Sequence, residues 1–281
     1  MSQKATSDKR DVSGAGQQKL RVAVIGLGMG RGHIRDYLQC PEAELVAICD
    51  QDAVRLAAVA TEFGVAKTFT DYHEMLKSPR LDAVSVALPN FLHAPVTLDC
   101  LAAGKHVLCE KPLALNAHEA EQMVRAARSR GLTLMVNFNF RFEAAAWTVH
   151  NAVDEGLLGD VYFARTGWHR NRGIPSWGGW FTTKRLSGGG GLIDLGVHRL
   201  DLALWYMGYP APVAVSGAVY GHLGKELARR QGREFDVDDL AAGFVRFANG
   251  ATLAVEASWA TNSEKCEEMF TTCLLYTSDA A

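Results

Sequence analysis

One short stretch near the start of the chain decides the fold: Val22-Ala-Val-Ile-Gly-Leu-Gly-Met-Gly-Arg-Gly32. Its first four residues are apolar, which is typical of a strand buried on both faces of a parallel sheet. The glycines that follow predict a tight turn that leads into a helix. The stretch therefore predicts a strand–turn–helix unit, the element from which doubly wound α/β domains are built.

The alternation of strand and helix continues beyond this unit. Four more apolar runs predict strands, at Leu45–Ile48, Asp82–Leu88, His106–Cys109 and Thr133–Val136. Apolar residues at helical spacing predict helices between them, at Asp52–Phe63, Leu92–Ala103 and Ala117–Arg130. We therefore expect an α/β domain at residues 19–138, a Rossmann-type doubly wound parallel sheet, after a disordered leader at residues 1–18.

The pattern of apolar runs in the sequence changes after residue 138. Longer runs predict strands at Val161–Trp168, Pro212–Tyr220, Leu240–Phe247 and Ala251–Trp259, and a helix is predicted near Gly191–Met207. Ala248-Asn-Gly250 between the last two strands is a hairpin signal. We expect residues 139–272 to form an α+β domain with a mostly antiparallel open sheet and helices on one face.

Composition excludes several classes of protein. The 281 residues are 48% apolar and 21% charged, with a formal net charge of −2. A near-neutral chain lacks the basic field that nucleic acid or an anionic membrane surface requires. No apolar run approaches the length of a membrane span. Six scattered cysteines without a Cys-x-x-Cys pair favour a reducing cytoplasm.

The glycine turn is a candidate phosphate site. Gly26, Gly28, Met29 and Gly30 connect a strand to a helix, where the backbone can approach a pyrophosphate at the helix N-terminus. Asp50 ends the next strand, at the position of an acid that would hold the adenosine ribose. The spacing departs from Gly-x-Gly-x-x-Gly, and a purely structural turn is the alternative. We expect NAD or NADP, with NAD favoured because Asp50 would repel a 2′-phosphate.

Further candidates follow two later strands, at the carboxyl edge where open α/β sheets bind ligands. Pro89, Asn90 and His93 follow the third strand, and Glu110 and Lys111 follow the fourth. All five are predicted to line the cofactor site. A solvated surface lysine and a surface histidine at a helix start are the alternatives for Lys111 and His93.

Asp194 and His198 lie four residues apart in a glycine-preceded, apolar stretch, so on a helix they share a face. A carboxylate and an imidazole on a protein-facing surface are costly unless they are paired or functional. A helix-surface ion pair and half of a metal site are alternatives, but no third ligand occurs at metal spacing. No metal is expected.

Three other residues are candidates for substrate binding. Asn137 and Arg141 lie at the junction of the two predicted domains, facing the expected cleft. Trp180 belongs to an aromatic cluster that could stack on a sugar ring, and packing of the sheet against the helices is an equal alternative.

These motifs occur together in the order of a known family. The glycine turn, Asp50, Pro89-Asn90 with His93, Ala103–Pro112, Asn137–Phe142 and Gly188–Asp201 resemble the glucose–fructose oxidoreductase/inositol dehydrogenase/MocA (Gfo/Idh/MocA) family. The resemblance covers roughly residues 20 to 270. It implies a dinucleotide-binding domain, a second domain for substrate and oligomerisation, and hydride transfer between a nicotinamide cofactor and a sugar, polyol or inositol carbon.

The resemblance also implies roles for individual residues. Lys111 would orient the substrate and tune the acid–base group, which would be His198. Asp194 would hydrogen-bond the substrate or the imidazole. The expected partners are a small carbohydrate or polyol and, through the second sheet, further copies of the same chain.

The end of the chain departs from the family pattern. Family members continue well past residue 270, whereas Cys273–Ala281 looks like the translation of a sequencing adapter after a truncated reading frame. We therefore expect residues 139–272 to be an incomplete domain and residues 273–281 to be foreign.

Two other functions are compatible with the same fold. One is a hydrolase in which bound NAD transiently oxidises a glycoside before elimination. The other is a non-catalytic regulator that senses the dinucleotide. A regulator would be expected to lose the lysine and histidine, and this chain keeps both.

Overall fold

The structure is a computed structural model that describes residues 18–264 and 267–276. Two β-sheets form its framework, one of six strands within residues 20–136 and one of five within residues 160–276. The predicted leader, apart from Gln18, lies outside the described residues, as do residues 277–281. No helix among the described residues is long and apolar enough to cross a membrane.

The first sheet is parallel, with strand order β3-β2-β1-β4-β5-β6. Its strands are β1 (Leu20–Ile25), β2 (Ala43–Cys49), β3 (Thr68–Phe69), β4 (Ala83–Val86), β5 (His106–Cys109) and β6 (Leu134–Val136). The order reverses between β1 and β4, which is the switch point where doubly wound sheets bind ligands. The doubly wound prediction is therefore confirmed, and β3 is a short edge strand that the sequence pattern did not predict.

Helices cover both faces of this sheet. They are α1 (Gly30–Gln39), α2 (Ala53–Phe63), α3 (Tyr72–Leu76), α4 (His93–Ala102) and α5 (Ala117–Ser129). Helix α5 begins with a capping box, since Asn116 accepts from the Glu119 amide and Glu119 accepts from the Leu115 amide. Buried apolar side chains pack on each side of the strands, in separate clusters around Val84 and Ile48.

The second sheet is mixed and mostly antiparallel, with strand order β11-β7-β10-β9-β8. Its strands are β7 (Asp160–Arg170), β8 (Pro212–Tyr220), β9 (Leu240–Phe247), β10 (Thr252–Ser258) and β11 (Glu267–Tyr276). Only the β7–β10 pair is parallel among the described pairings. The prediction of a mostly antiparallel sheet is confirmed. The part of the suspected foreign tail from Cys273 to Tyr276 lies in β11 and pairs with β7.

The helices of this half are α6 (Ala144–Asp154), α7 (Lys184–Ser187), α8 (Val197–Tyr206) and α9 (His222–Gln231). Three short 3₁₀ turns, at Asn90–Leu92, Asn139–Phe142 and Trp180–Thr182, complete the connections. The helix predicted near 191–207 begins as a π-helical turn, Leu192–Gly196, and continues as α8. Helix α8 packs on β7 and β11. The turn before it reaches Lys111, which follows β5 of the first sheet, through a hydrogen bond to Asp194. Helices α6, α7 and α9 and strand β11 were not predicted.

Candidate functional site

The glycine turn after β1 is shaped by close packing. Gly26 has a φ of +89°, and a Cβ there would lie 2.4 Å from the Ala87 carbonyl oxygen. A Cβ at Gly30 would lie 2.7 Å from Cγ1 of Val24. Both positions therefore require glycine for reasons within the protein itself, so they alone do not identify a ligand site.

Gly28 differs from Gly26 and Gly30 because a Cβ built there meets no atom of the described residues within 4 Å. The turn thus presents bare backbone to open space just before α1. The α1 N-cap, Met29, makes no side-chain hydrogen bond and is 70% exposed. The Gly32 amide donates to the Met29 carbonyl oxygen at 2.9 Å, and no described side chain caps the amides at the start of α1, where an anion could bind. The turn fits the pyrophosphate of a dinucleotide.

Asp50 follows β2 and is 5% exposed. Its carboxylate accepts hydrogen bonds from the amides of Leu27 and Asp52, both at 2.9 Å. The half-exposed Arg55 approaches it, with Nη1 3.1 Å from Oδ2. Asp50 therefore braces the glycine turn in addition to lying where a ribose-binding acid is predicted.

The sequence allowed His93 to line the cofactor site or to lie at the protein surface, and the structure shows a third environment. It has no exposed surface, and its ring nitrogens lie 2.6 Å from the Pro112 carbonyl oxygen and 2.7 Å from that of Leu88. Burial lowers the pKa of His93. The surface-histidine alternative is wrong, because His93 joins the loop after β4 to the loop after β5. The structure leaves the ring no open side for a cofactor contact.

Asn90, next to Pro89, links the two halves of the molecule. It is 5% exposed, and its Nδ2 donates to the Ser187 carbonyl oxygen at 2.7 Å. Ser187 ends α7, immediately before the glycine run that leads to Asp194. The predicted cofactor residue Asn90 therefore also anchors the start of the second candidate segment.

Glu110, after β5, is the centre of a buried polar network. Its Oε1 accepts from His33 Nε2 at 2.9 Å and from Asn137 Nδ2 at 2.8 Å, and Oε2 accepts from the Lys111 amide at 3.2 Å. Burial opposes ionisation, but the hydrogen bonds from His33 and Asn137 outweigh it and lower the pKa of Glu110 to about 2. Glu110 is therefore an anion that fixes the backbone at Lys111.

Sequence reasoning missed the rest of this network. His33 Nδ1 lies 3.2 Å from Ser85 Oγ, and the Tyr37 hydroxyl lies 2.6 Å from the same oxygen. His33 and Tyr37 share a face of α1, since they are four residues apart. That spacing was the available signal, but only the strand order places Ser85 and Glu110 beside it.

Lys111 is mostly buried and joins the two halves. Its Nζ donates to Asp194 Oδ1 at 2.9 Å and to the Asp194 carbonyl oxygen at 3.0 Å. The side chains of Lys111 and Asp194 are 17% and 12% exposed. The surface-lysine alternative is therefore wrong, because this ammonium is held by a partner from the second half of the chain.

The second carboxylate oxygen of Asp194 also has a partner. Oδ2 accepts a hydrogen bond from Trp259 Nε1 at 2.8 Å. No hydrogen bond or ion pair joins Asp194 to His198 within the part of the chain that the structure describes. The alternative of a helix-surface ion pair is therefore wrong, because Lys111 and Trp259 hold the carboxylate.

His198 lies at the start of α8 and is 8% exposed. Its Nδ1 is buried and has no hydrogen-bond partner among the described residues, and its ring meets Phe140 edge-on with centroids 4.9 Å apart. Burial, with the Lys111 ammonium acting in the same direction, lowers the pKa of His198 to about 3. The free protein therefore carries a neutral imidazole beside an ammonium at neutral pH.

The residues predicted to bind substrate already have partners. Asn137 donates to Glu110, and Arg141 forms a two-pronged ion pair with Asp201, with Nε 2.6 Å from Oδ2. Trp180 stacks on Phe181 at a centroid distance of 3.8 Å and is half-buried. Sequence reasoning missed Asp201, which lies on α8 one turn beyond His198.

A cavity of about 490 Å³ lies elsewhere in the second half of the chain. Its lining includes Trp177, Leu223 and Arg230 but none of Lys111, Asp194 and His198. Lys111 and Asp194 carry largely buried charges, and the pKa of His198 is strongly lowered. These three residues therefore indicate the candidate site better than this cavity does.

Two family models match the chain. The model described as "Oxidoreductase family, NAD-binding Rossmann fold" matches residues 20–138, and the GFO/IDH/MocA C-terminal domain matches residues 146–278. Together they span both sheets.

Individual relatives agree with these matches. The chain is 38% identical over 250 residues to the D-glucoside 3-dehydrogenase of Escherichia coli, covering 86% of this chain and 71% of the relative. It is 32% identical over 241 residues to the myo-inositol 2-dehydrogenase of Thermotoga maritima, covering 85% and 68%.

Among solved structures, a levoglucosan dehydrogenase in complex with NADH and levoglucosan matches with a TM-score of 0.82 and 27% identity. The match covers 92% of this chain and 71% of that protein.

Proposed function

Because the chain belongs to the Gfo/Idh/MocA oxidoreductase family and carries its NAD-binding Rossmann fold, we propose that it is a dehydrogenase of sugars or polyols. The reaction is hydride transfer between a nicotinamide cofactor and a hydroxyl-bearing carbon. The observation that supports the proposal is the meeting of Lys111, Asp194 and His198, from two segments far apart in the chain, beside the edge of the first sheet.

The cofactor proposal rests on the turn between β1 and α1. The bare backbone at Gly28 and the helix start that no described side chain caps would hold the pyrophosphate, and Asp50 would hold the adenosine ribose. A bound nicotinamide supplies the hydride acceptor. Asp50 favours NAD because a carboxylate repels a 2′-phosphate, and the levoglucosan dehydrogenase similar to this chain is a complex with NADH.

His198 is the proposed acid–base group. Its neutral imidazole has a lone pair to accept the substrate hydroxyl proton, since the pKa of His198 lies well below neutrality. The same low pKa makes the imidazole a weak base, so the transfer depends on stabilisation of the charge at the substrate oxygen, and the imidazolium that forms then releases its proton to water. Lys111 stabilises negative charge on the substrate oxygen, and Asp194 holds the Lys111 ammonium in place.

The proposed substrate class rests on the compounds named for the similar proteins. One acts on D-glucosides and another on myo-inositol, and a similar structure contains levoglucosan. All three compounds present ring carbons that bear hydroxyl groups. A cyclic sugar or polyol is therefore the proposed substrate, with Asn137, Arg141 and Trp180 near its binding region.

A panel of glucosides, inositols and anhydro sugars with NAD or NADP tests the proposal. We expect reduced cofactor to accumulate with at least one member and the signal to be lost in His198→Asn. A hydrolase would release sugar from a glycoside without accumulating reduced cofactor. Activity that survives unreduced in His198→Asn would contradict the role of this histidine.

Self-association through the second sheet is also proposed. The face opposite α8 carries Phe244 and Leu274, 42% and 46% exposed, together with the Arg165–Glu256 ion pair. An exposed sheet face with aromatic and aliphatic side chains favours contact with a second copy.

The five described cysteines are free thiols, which supports a cytoplasmic setting.

A further inference from the structure

Trp259 is the least expected partner in the candidate site. It follows β10 and has no exposed surface, and its indole Nε1 donates to Asp194 Oδ2 at 2.8 Å. An indole nitrogen can only donate, so it needs an acceptor such as this carboxylate oxygen. Lys111 holds the other oxygen, and each oxygen of Asp194 therefore has its own donor.

The indole is itself held firmly. The Trp259 amide donates to the Asp239 carbonyl oxygen at 2.9 Å, and the neighbouring Ser258 hydroxyl donates to the same oxygen at 3.0 Å. Its ring packs in an apolar cluster with Trp168 and Leu195. The donor that faces Asp194 therefore has little freedom to move.

Lys111 depends on the orientation of Asp194. A lysine ammonium is a point charge on a flexible stem, so its position is set by its acceptors. Here those acceptors are Oδ1 and the main-chain carbonyl oxygen of the same Asp194 residue. Rotation of the carboxylate would displace Oδ1 and, with it, the ammonium beside His198.

We propose that Trp259 is a positioning residue for the proposed dehydrogenase reaction: by holding Asp194 Oδ2 it fixes the carboxylate that anchors Lys111 beside His198. This inference rests on the proposed function for its catalytic meaning. The contact between the indole and the carboxylate can be tested without turnover.

The kinetic test compares Trp259→Phe with the unmodified chain. The variant keeps an aromatic ring but removes the donor, and we expect kcat to fall about 10- to 100-fold. We expect KM to stay within about threefold, because the contact does not reach the substrate. Trp177→Phe is the matched control, since Trp177 donates to Gln231 at the edge of the same cluster. A fall in kcat of equal size in both variants would overturn the proposal.

A double-mutant cycle isolates the route through Asp194. In an Asp194→Asn background, Trp259→Phe is expected to cost less than about threefold in kcat/KM. If the loss equals that seen beside the native Asp194, Trp259 does not act through this carboxylate and the proposal fails.

A spectroscopic test decides the contact independently of activity. The chain has six tryptophans, so ¹⁵N-indole labelling yields a small set of N–H resonances, and the one lost in Trp259→Phe identifies Trp259. We expect this resonance to shift in Asp194→Asn while that of Trp177 stays in place. An unmoved Trp259 resonance would overturn the proposal even if Trp259→Phe proved unstable. Absence of turnover by the unmodified chain would instead contradict the proposed function.

Discussion

Lys111 and Asp194 are 83 residues apart in the chain, yet two hydrogen bonds of 2.9 and 3.0 Å join the lysine ammonium to the side chain and main chain of the aspartate. Lys111 follows β5 of the first sheet, and Asp194 lies in the π-helical turn before α8. The pair therefore connects the two sheets at the point where the candidate chemistry is placed.

The first prediction concerns this ion pair. Lys111→Met should lower kcat/KM by about 10²- to 10⁴-fold, because the substrate oxygen loses its cation. It should also lower the free energy of unfolding by about 3 kcal/mol, since a largely buried carboxylate loses its counter-ion. Steady-state kinetics and denaturant titration measure the two effects. Lys105→Met is the control, because the Lys105 ammonium donates to the main-chain carbonyl oxygens of Ser78 and Leu81. Equal losses of activity in both variants would contradict the prediction.

The second prediction concerns pH. The pKa of His198 is lowered from 6.5 to about 3, mainly by burial, so between these values the unfolded chain binds a proton that the folded chain does not. The contribution of His198 to stability is therefore present above pH 6.5 and is lost as the pH falls towards 3. His198→Asn removes this dependence. The stability difference between the two proteins should change by up to about 1.4 kcal/mol per pH unit in this window. If the unfolding free energies of the two proteins change with pH in parallel, the prediction is contradicted.

The third prediction concerns cofactor choice. Asp50→Ser should raise the preference for NADP over NAD at least about tenfold, because it removes a charge that repels a 2′-phosphate and releases Arg55. Calorimetric binding of both nucleotides measures the ratio. Asp52→Ser removes a neighbouring carboxylate that caps α2 and also pairs with Arg55, but it keeps Asp50, so it should change the ratio less than Asp50→Ser does.

The fourth prediction concerns the start of the segment that carries Asp194. Asp238 accepts hydrogen bonds from the Gly190 amide at 2.8 Å and the Leu192 amide at 3.2 Å. Asp238→Ala should cost about 1–2 kcal/mol of unfolding free energy and lower kcat more than KM. Asp71→Ala removes the cap of α3. It should cost stability without lowering kcat, and a similar loss of kcat in both would contradict the prediction.

The fifth prediction concerns association. If the face of the second sheet opposite α8 binds a second copy, Phe244→Lys should lower the molar mass measured by light scattering, because burying an unpaired ammonium is costly. Leu38→Lys adds the same charge on the exposed side of α1 and should leave the mass unchanged. An unchanged mass in Phe244→Lys would exclude this face.

Much of the first half of the chain could be predicted because its signals are local. The strand His106–Cys109 was predicted with its exact bounds, and the observed β8 and β9 also match their predicted runs. Strand ends then place Asp50 and Lys111 at one edge of the sheet, since all strands of the first sheet are parallel.

The partners of those residues could not be predicted. Hydrogen bonds from His33 to Glu110 and from Trp259 to Asp194 join segments that lie far apart in the chain. No local sequence pattern indicates which distant segments will meet. The four-residue spacing of Asp194 and His198 was misleading for a related reason. The stretch begins as a π-helical turn, and the aspartate is held by side chains from elsewhere.

The sequence by itself therefore determined the alternation of strands and helices, the glycine turn and the residues at the strand ends, because each depends on neighbours along the chain. Only the tertiary structure decided which groups meet. The packing of α8 against the second sheet buries His198 and thereby sets its pKa. The meeting of the two halves gives Asp194 its partner Lys111, and the packing of the π-helical turn on β10 gives it Trp259. A buried charge must find its donors wherever the fold brings them.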